Sequence, residues 1–146
     1  TRIDSLLDEI CDKFPSREAP LREALDAHRA GKYFLSTPVI LIQADGICQD
    51  VLGVQLYSRR SGRPVLARAF EGRSDEAILM SLIAPLLEPL PLTASSKERQ
   101  DSQPALNRHV VVHGESVDYG KREVSARAIS FLAYVTWVLD YSTESL

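Results

Sequence analysis

Two of the chain's three histidines lie in the stretch LNRHVVVHG, residues 106–114, where an arginine precedes them. An imidazole exchanges protons near neutral pH, so His109 or His113 can take a proton from a ribose 2'-hydroxyl or donate one to a leaving 5'-oxygen. The Arg108 guanidinium can bind two phosphate oxygens and neutralise the charge that develops on them. Together, these residue types indicate chemistry on a phosphodiester bond.

The spacing of Arg108 and His113 limits how they can act together. On a helix, residues five positions apart lie about 140° apart around the axis, so they share a face only loosely and converge best near a helix end or turn. One histidine does not easily make both proton transfers. Two copies of His113, one from each chain of a symmetric dimer, can make both.

A structural role for the same residues is an open alternative. Arg108 can form an ion pair with Asp101 or Glu115. His113 can cap the end of a helix ahead of Gly114, where the helix dipole favours a partly charged imidazole.

A metal site is a second alternative, because His109 and His113 have the i, i+4 spacing of a zinc-binding pair. The residue after the first histidine is Val110, where the common HExxH motif has a glutamate, and no third ligand is close in sequence. Because two ligands do not hold zinc, we expect no metal and no other cofactor. A complete site would need a further ligand from elsewhere in the fold, for which the candidates are His28, Asp45 and Glu115.

A basic segment lies between residues 59 and 73. It contains one acid, Glu71, and five arginines: Arg59, Arg60, Arg63, Arg68 and Arg73. Such a segment can follow an RNA backbone through phosphate contacts, and the candidate RNA-binding residues are Arg59, Arg60 and Arg63. Alternatively it is a solvated surface, or it neutralises acids near the N-terminus. The candidate acids are Asp4, Asp8 and Glu9.

The elements that must position these residues are predicted to be helices. Apolar residues recur at helical spacing, and glycine or proline residues separate the segments. Asp4 is the expected N-cap of the first helix. The predicted helices cover residues 4–14, 20–31, 33–53, 75–88, 104–113 and 121–141, with a strand as the alternative for residues 39–42. The sequence therefore predicts an all-α bundle of five or six helices with a long arginine-rich loop, residues 54–75. Residues 61–64 of this loop (SGRP) are typical of a turn, so the loop can hold a small hairpin but not a long helix.

Two features of the predicted helices indicate that they have partners. Asp45 lies in an apolar helix, so its carboxylate needs a partner such as Arg108 or the N-terminus of another helix. The last helix carries an apolar stripe of helical period, which consists of Val124, Ala128, Phe131, Leu132, Val135, Val138 and Leu139. Ile129, Tyr134 and Trp137 lie off this stripe. Their positions indicate either a dimer partner or a larger core within the same chain.

Length and composition place the chain among globular proteins. Its 146 residues, 45% of them hydrophobic, suit one domain over residues 1–146, and a start at Thr1 is compatible with excision from a longer protein. The formal charge of -3 neither favours nor excludes a nucleic-acid partner. Cys11 and Cys48 fit reduced core cysteines. Because the sequence has no signal peptide and no apolar run of about 18 residues, we expect a cytoplasmic protein that does not enter a membrane.

The stretch RHVVVH resembles the signature of the HEPN superfamily, in which an arginine is followed, after four to six residues, by a histidine. Arg108 and His113 fit these two positions, and His109 lies where Asn, Asp or His is common beside the arginine. The place of the motif, late in an all-α bundle and ahead of a final helix, is also similar to bacterial HEPN domains. The resemblance covers residues 104–140, is weaker over residues 31–53 and does not extend to the basic segment.

The resemblance implies a metal-independent endoribonuclease with a composite active site at a homodimer interface. Arg108 would bind the scissile phosphate, His113 would be the acid–base residue, and Asn107 and His109 would support them. The products would be a 2',3'-cyclic phosphate and a 5'-hydroxyl. The setting would be a toxin–antitoxin system, abortive infection or other antiviral defence, with an antitoxin as a further partner. The alternative is a HEPN-like module without catalysis that dimerises or binds RNA within a larger protein.

Overall fold

The computed structural model describes residues 2–88 and 107–144, which form mostly α-helix. The all-α class is confirmed for this part of the chain, which has six α-helices and one two-stranded antiparallel sheet. The helices are α1 (Arg2–Lys13), α2 (Glu18–Arg29), α3 (Tyr33–Leu52), α4 (Ala77–Leu87), α5 (Arg108–Val112) and α6 (Arg122–Glu144). The strands are β1 (Arg59–Arg60) and β2 (Arg63–Pro64), and short 3-10 helices cover Pro15–Arg17 and Val65–Phe70.

The core forms around α3 and α6, which pack against each other, while α2 packs on α3. Leu41, Ala44 and Ile47 on α3 are completely buried. Full burial of a large aliphatic side chain contributes about 1.5–3 kcal/mol, so these two helices supply much of the stability. Because α3 is a continuous helix, the strand alternative for residues 39–42 is wrong. The apolar stripe predicted on α6 faces the same core through Val124, Ala128, Leu132, Val135, Val138 and Leu139.

Proline and glycine end several helices where the sequence predicts. α1 ends before Pro15, and Gly31 follows α2 with a φ of +73°. α4 ends at Leu87, two residues ahead of Pro89 in the sequence. Glu88 already has extended backbone, as expected for a residue that precedes proline.

The acids near the N-terminus have different partners from those predicted. Asp4 lies inside α1, whose first residue is Arg2, so the prediction of an N-cap at Asp4 is wrong. Its carboxylate forms an ion pair with Arg29, and Asp8 pairs with Arg22 at 3.1 Å. Both arginines belong to α2, which packs beside α1. For these two acids α2, and not the basic segment, supplies the compensating charge.

The segment of residues 54–75 contains the small hairpin that the sequence allows, and it is more ordered than an irregular loop. Leu56, Leu66 and Phe70 are only 4%, 0% and 3% exposed, so they anchor the segment in the core. Arg73 near its end donates to both carboxylate oxygens of Glu76, at 2.5 and 2.7 Å. Apolar residues placed between the arginines therefore fold the segment into a hairpin and a 3-10 helix.

Helix α5 is shorter than the predicted helix over residues 104–113. It begins at Arg108, and Asn107 before it has extended backbone. Asparagine favours such a capping position over the interior of a helix, which explains the later start. Gly114 ends the helix with a φ of +69°, as predicted. Pro104, the predicted first residue, lies outside the described residues.

The off-stripe residues of α6 have different environments. Ile129 and Tyr134 pack against the core of the same chain, and the Tyr134 hydroxyl donates to the Leu82 carbonyl. Trp137 is 53% exposed. A larger core within one chain accounts for the first two residues, whereas Trp137 presents an apolar surface to the outside.

Two further expectations concern reduced core cysteines and the absence of a membrane-spanning segment. Cys11 and Cys48 are buried free thiols, as predicted for core cysteines. Burial raises the pKa of the Cys48 thiol to about 12, so it stays protonated at neutral pH. Among the described residues, no helix combines the length and hydrophobicity that crossing a bilayer requires.

Candidate functional site

Asn107 holds the start of α5. Its Oδ1 accepts a hydrogen bond from the Val110 N–H at 3.2 Å, and the residue is only 2% exposed. This N-cap satisfies a backbone donor that has no partner within the helix. Val110 and Val111 are buried as well, so the valines of the motif fix α5 against the core. Asn107, predicted as a supporting residue, thus lies beneath the surface and positions the helix.

The end of α5 is closed by a Schellman motif. The Glu115 N–H donates to the Val110 carbonyl at 3.0 Å. The Gly114 N–H donates to the Val111 carbonyl at 3.4 Å. The left-handed backbone at Gly114 makes this reversal possible, because a residue with a Cβ adopts it at a cost. The closure places His113 at the C-cap, directly after the last residue of the helix, which is the position that the structural alternative predicts for it. It also turns Glu115 back toward the helix.

The two imidazoles of α5 lie against each other. The ring centroids of His109 and His113 are 4.4 Å apart, and the ring planes are inclined by 49°. Nε2 of His109 lies 3.0 Å from Oε1 of Glu115. With its proton on Nε2, His109 donates to this carboxylate, which fixes its tautomer. His113 is exposed, so the structure brings two imidazoles and a carboxylate together at the surface.

The Arg108 side chain lies over an aromatic ring. Its guanidinium carbon is 4.9 Å from the centroid of Tyr57, within the range of a cation–π contact. In the described part of the chain Arg108 has no ion pair, and no hydrogen bond or ring contact joins it to His113. The alternative pairing of Arg108 with Glu115 is wrong, because that carboxylate contacts His109. Asp101, the other alternative, lies outside the described residues.

Tyr57 is held firmly beneath the guanidinium. Its ring stacks on Phe131 of α6, with centroids 6.3 Å apart and planes inclined by 23°. Its hydroxyl donates to the Leu41 carbonyl at 3.0 Å. Burial, with a smaller contribution from the Asp45 carboxylate, raises the pKa of Tyr57 above its ordinary value, so the ring stays a neutral phenol. Arg108 therefore rests on a fixed, uncharged surface.

Asp45 has a structural partner, but it is not Arg108. Its Oδ1 accepts a hydrogen bond from the Leu56 N–H at 2.6 Å. This backbone donor compensates the desolvation of the half-buried carboxylate. The prediction that the Asp45 carboxylate has a partner is therefore confirmed. Since Leu56 directly precedes Tyr57, this bond also helps to position the tyrosine ring.

The basic hairpin begins two residues after Tyr57. Arg59 faces Pro64 and Arg60 faces Arg63 in the antiparallel register. Arg60 and Arg63 are exposed, and neither has an ion pair within the residues that the structure describes. Arg59 is half-buried and its guanidinium reaches the Gly62 carbonyl at 3.5 Å. The three predicted RNA-binding arginines therefore share one hairpin. This hairpin follows in sequence the Tyr57 platform, by which we mean the aromatic ring that carries the Arg108 guanidinium.

The histidine spacing does not assemble a metal centre within residues 2–88 and 107–144. No group of three His, Cys, Asp or Glu side chains there converges in a way that would hold an ion. His28 lies elsewhere, with its Nδ1 2.8 Å from the Ser125 Oγ. Asp45 bonds to backbone, and only Glu115 of the three candidate ligands contacts an imidazole of the motif.

Sequence reasoning missed the role of Tyr57 and the pairing of His109 with Glu115. A tyrosine just before an arginine-rich turn is a weak indication, because its contact with Arg108 joins positions 51 residues apart in sequence. Gly114 is a stronger indication of the contact between His109 and Glu115. A glycine that closes a helix reverses the chain, so the residue after it can contact the helix side chains.

No family model, curated protein or solved structure matches the chain. The HEPN resemblance therefore depends on the motif in this sequence and on the position of the motif before the last helix.

Proposed function

We propose that the protein is a metal-independent endoribonuclease of the HEPN type. One observation carries the proposal: α5 and its C-cap present a guanidinium without an ion pair in the described chain, together with the half-buried His109 and the exposed His113, whose rings contact each other. The guanidinium matches the charge of a phosphodiester, and the imidazoles can move protons at neutral pH. The basic hairpin that follows Tyr57 adds attraction for the rest of an RNA strand.

The reaction follows from these groups. A neutral His113 takes the proton of the ribose 2'-hydroxyl, whose oxygen attacks the adjacent phosphorus. The bond from phosphorus to the 5'-oxygen breaks, and that oxygen receives a proton from an imidazolium. Arg108 stabilises the additional negative charge on the phosphoryl oxygens. The products are a 2',3'-cyclic phosphate and a 5'-hydroxyl.

The contact between His109 and Glu115 gives His109 a more specific role within the motif. The carboxylate holds the His109 ring, and that ring packs against His113. His109 is thus a positioning residue for His113 in this proposal. Asn107 positions the whole helix through its cap.

A homodimer would complete the site with a second His113, so that one imidazole accepts a proton while the other donates one. The exposed Trp137 is compatible with such an interface. A toxin–antitoxin or antiviral setting, with RNA as substrate and an antitoxin as regulator, belongs to the same proposal through the resemblance. The cytoplasmic location expected from the sequence is part of the proposal as well.

The second candidate function is a HEPN-like module that binds RNA or dimerises without cleaving. The observation that favours it is the lack of a direct contact between Arg108 and His113 in the described chain. The basic hairpin and the platform under Arg108 would serve binding equally well.

Incubation of the pure protein with total RNA, with and without EDTA, separates these functions. Cleavage that persists in EDTA supports the endoribonuclease. Loss of cleavage in EDTA contradicts the metal-independent mechanism. Retained RNA binding without any cleavage supports the binding module instead.

A further inference from the structure

The tip of the basic hairpin carries two like charges directly opposite each other. Arg60 faces Arg63 in the register, and Cβ atoms at such positions are about 4.5–5.5 Å apart. Like charges directly opposite each other destabilise a hairpin. Within the described residues neither arginine has a carboxylate partner that would relieve the repulsion.

The hairpin backbone keeps these charges together. Ser61 and Gly62 have φ values of +52° and +77°, the positive pair that a type I' turn requires. The Val65 N–H donates to the Ser58 carbonyl at 2.8 Å, which extends the pairing below the strands. Leu66 at the base is completely buried. The backbone of the hairpin therefore holds Arg60 and Arg63 opposite each other.

We infer that Arg60 and Arg63 form a clamp for the backbone of single-stranded RNA. A phosphate between the guanidiniums replaces their repulsion with two attractions, which an uncharged ligand cannot do. The major groove of an RNA duplex is too deep and narrow for side chains to enter, whereas the backbone of a single strand is accessible, so the two cations at the tip favour a single strand. The inference rests on the proposed function and names its substrate as a single strand.

The clamp lies close to Arg108 because the hairpin follows Tyr57 in the sequence. A fully extended chain advances at most about 3.6 Å per residue, so the Arg60 backbone lies within about 11 Å of the Tyr57 backbone. Tyr57 carries the Arg108 guanidinium. A strand held at the hairpin tip can therefore continue to the platform where cleavage is proposed.

The experiment measures binding apart from cleavage, with a short single-stranded 2'-O-methyl RNA that has no free 2'-hydroxyl to attack the phosphate. Affinity is measured over a range of salt concentrations for the wild type and for the double variant Arg60→Gln/Arg63→Gln. Each phosphate that is neutralised on a single strand contributes about 0.7 to the slope of log K against log salt, so the loss of the one clamped phosphate should make the slope shallower by about 0.7. The double variant Arg60→Lys/Arg63→Lys keeps both charges and should retain most of the wild-type slope.

The matched control is Arg22→Gln/Arg29→Gln, which removes the same charge from two arginines that already pair with Asp8 and Asp4. This control should leave the slope close to that of the wild type. An equal change in both glutamine variants, an unchanged slope in Arg60→Gln/Arg63→Gln, or a stronger effect on a duplex of the same length would overturn the clamp. Because the oligonucleotide is not cleaved, a change in slope supports the clamp even if the protein proves unable to cut RNA.

Discussion

At the scale of single residues, the proposal depends on how Arg108 keeps its donors available. A partly buried guanidinium usually pairs with a carboxylate, which would occupy the donors that a phosphate needs. Here the face of Tyr57 stabilises the charge, and Glu115 contacts His109 instead. The charge is thus held in place without being neutralised by an acid of the described chain.

Variants of Tyr57 test the aromatic platform. Tyr57→Leu removes the ring, whereas Tyr57→Phe keeps it and loses only the hydroxyl bond to Leu41. A cation–π contact contributes about 0.5–2 kcal/mol, so the leucine variant should lower kcat/KM for RNA cleavage by roughly 2- to 30-fold. The phenylalanine variant should retain most of the activity. Equal losses in the two variants, at equal unfolding free energies, would show that the ring does not support Arg108.

His28 should make the stability of the protein depend on pH. The ring is half-buried, and Nδ1 lies 2.8 Å from the Ser125 Oγ. Burial, with a smaller contribution from Arg122, lowers the pKa of His28 below 6.5 in the folded chain. Below pH 6.5 the unfolded chain therefore binds a proton that the folded chain does not, so the unfolding free energy falls as pH decreases.

Urea unfolding of the wild type and His28→Gln between pH 7.5 and pH 5.5 measures this dependence. The unfolding free energy of the wild type should fall more steeply below pH 6.5 than that of the variant. His109 and His113 are present in both proteins, so the difference isolates His28. Parallel curves would contradict a lowered pKa for this residue.

At the scale of elements, α5 depends on its two ends. Its five residues are too few for a helix to be stable alone, so the cap at Asn107 and the closure at Gly114 maintain it. The sequence predicted the end of this helix correctly because glycine is the residue best suited to left-handed backbone. It predicted the start wrongly, because the fit of Asn107 into a buried capping position depends on the surrounding core.

Gly114→Ala tests the closure of α5. A Cβ at this position would meet no atom within 4 Å, so the cost comes from the left-handed backbone alone. We expect the alanine variant to lose about 1–2 kcal/mol of unfolding free energy in urea titrations, and Gly114→Asn to lose less, because asparagine tolerates this conformation better. An alanine variant as stable as the wild type would show that the closure does not need glycine.

At the scale of the whole molecule, periodicity was sufficient to predict the helical architecture. The apolar stripe of α6 and the apolar character of α3 predicted the two central helices, because burial dictates their patterns. The turn at residues 61–64 correctly indicated a small hairpin, but its two-residue strands have no periodicity from which their bounds could be predicted. The ordered state of its segment follows from the burial of Leu66 and Phe70, which only the packed structure reveals.

The sequence predicted which residues form the candidate site, but not the contacts that their side chains make. The motif placed Arg108, His109 and His113 on one short segment. The contacts of Arg108 with Tyr57 and of His109 with Glu115 depend on a tertiary contact and on a chain reversal. Such contacts are outside the reach of sequence spacing.

The most direct test of the central claim is single-turnover cleavage of a labelled RNA in EDTA by the wild type, Arg108→Ala and His113→Ala, with His28→Gln as the histidine control. We predict cleavage by the wild type and the control to a 2',3'-cyclic phosphate. Loss of a general acid–base group such as His113 typically lowers the rate by about 100- to 10,000-fold, and loss of a donor that stabilises the developing charge, as Arg108 does, by about 100- to 1,000-fold, so both alanine variants should be nearly inactive. Unchanged cleavage by either alanine variant would contradict the assignment of Arg108 and His113 as the catalytic residues.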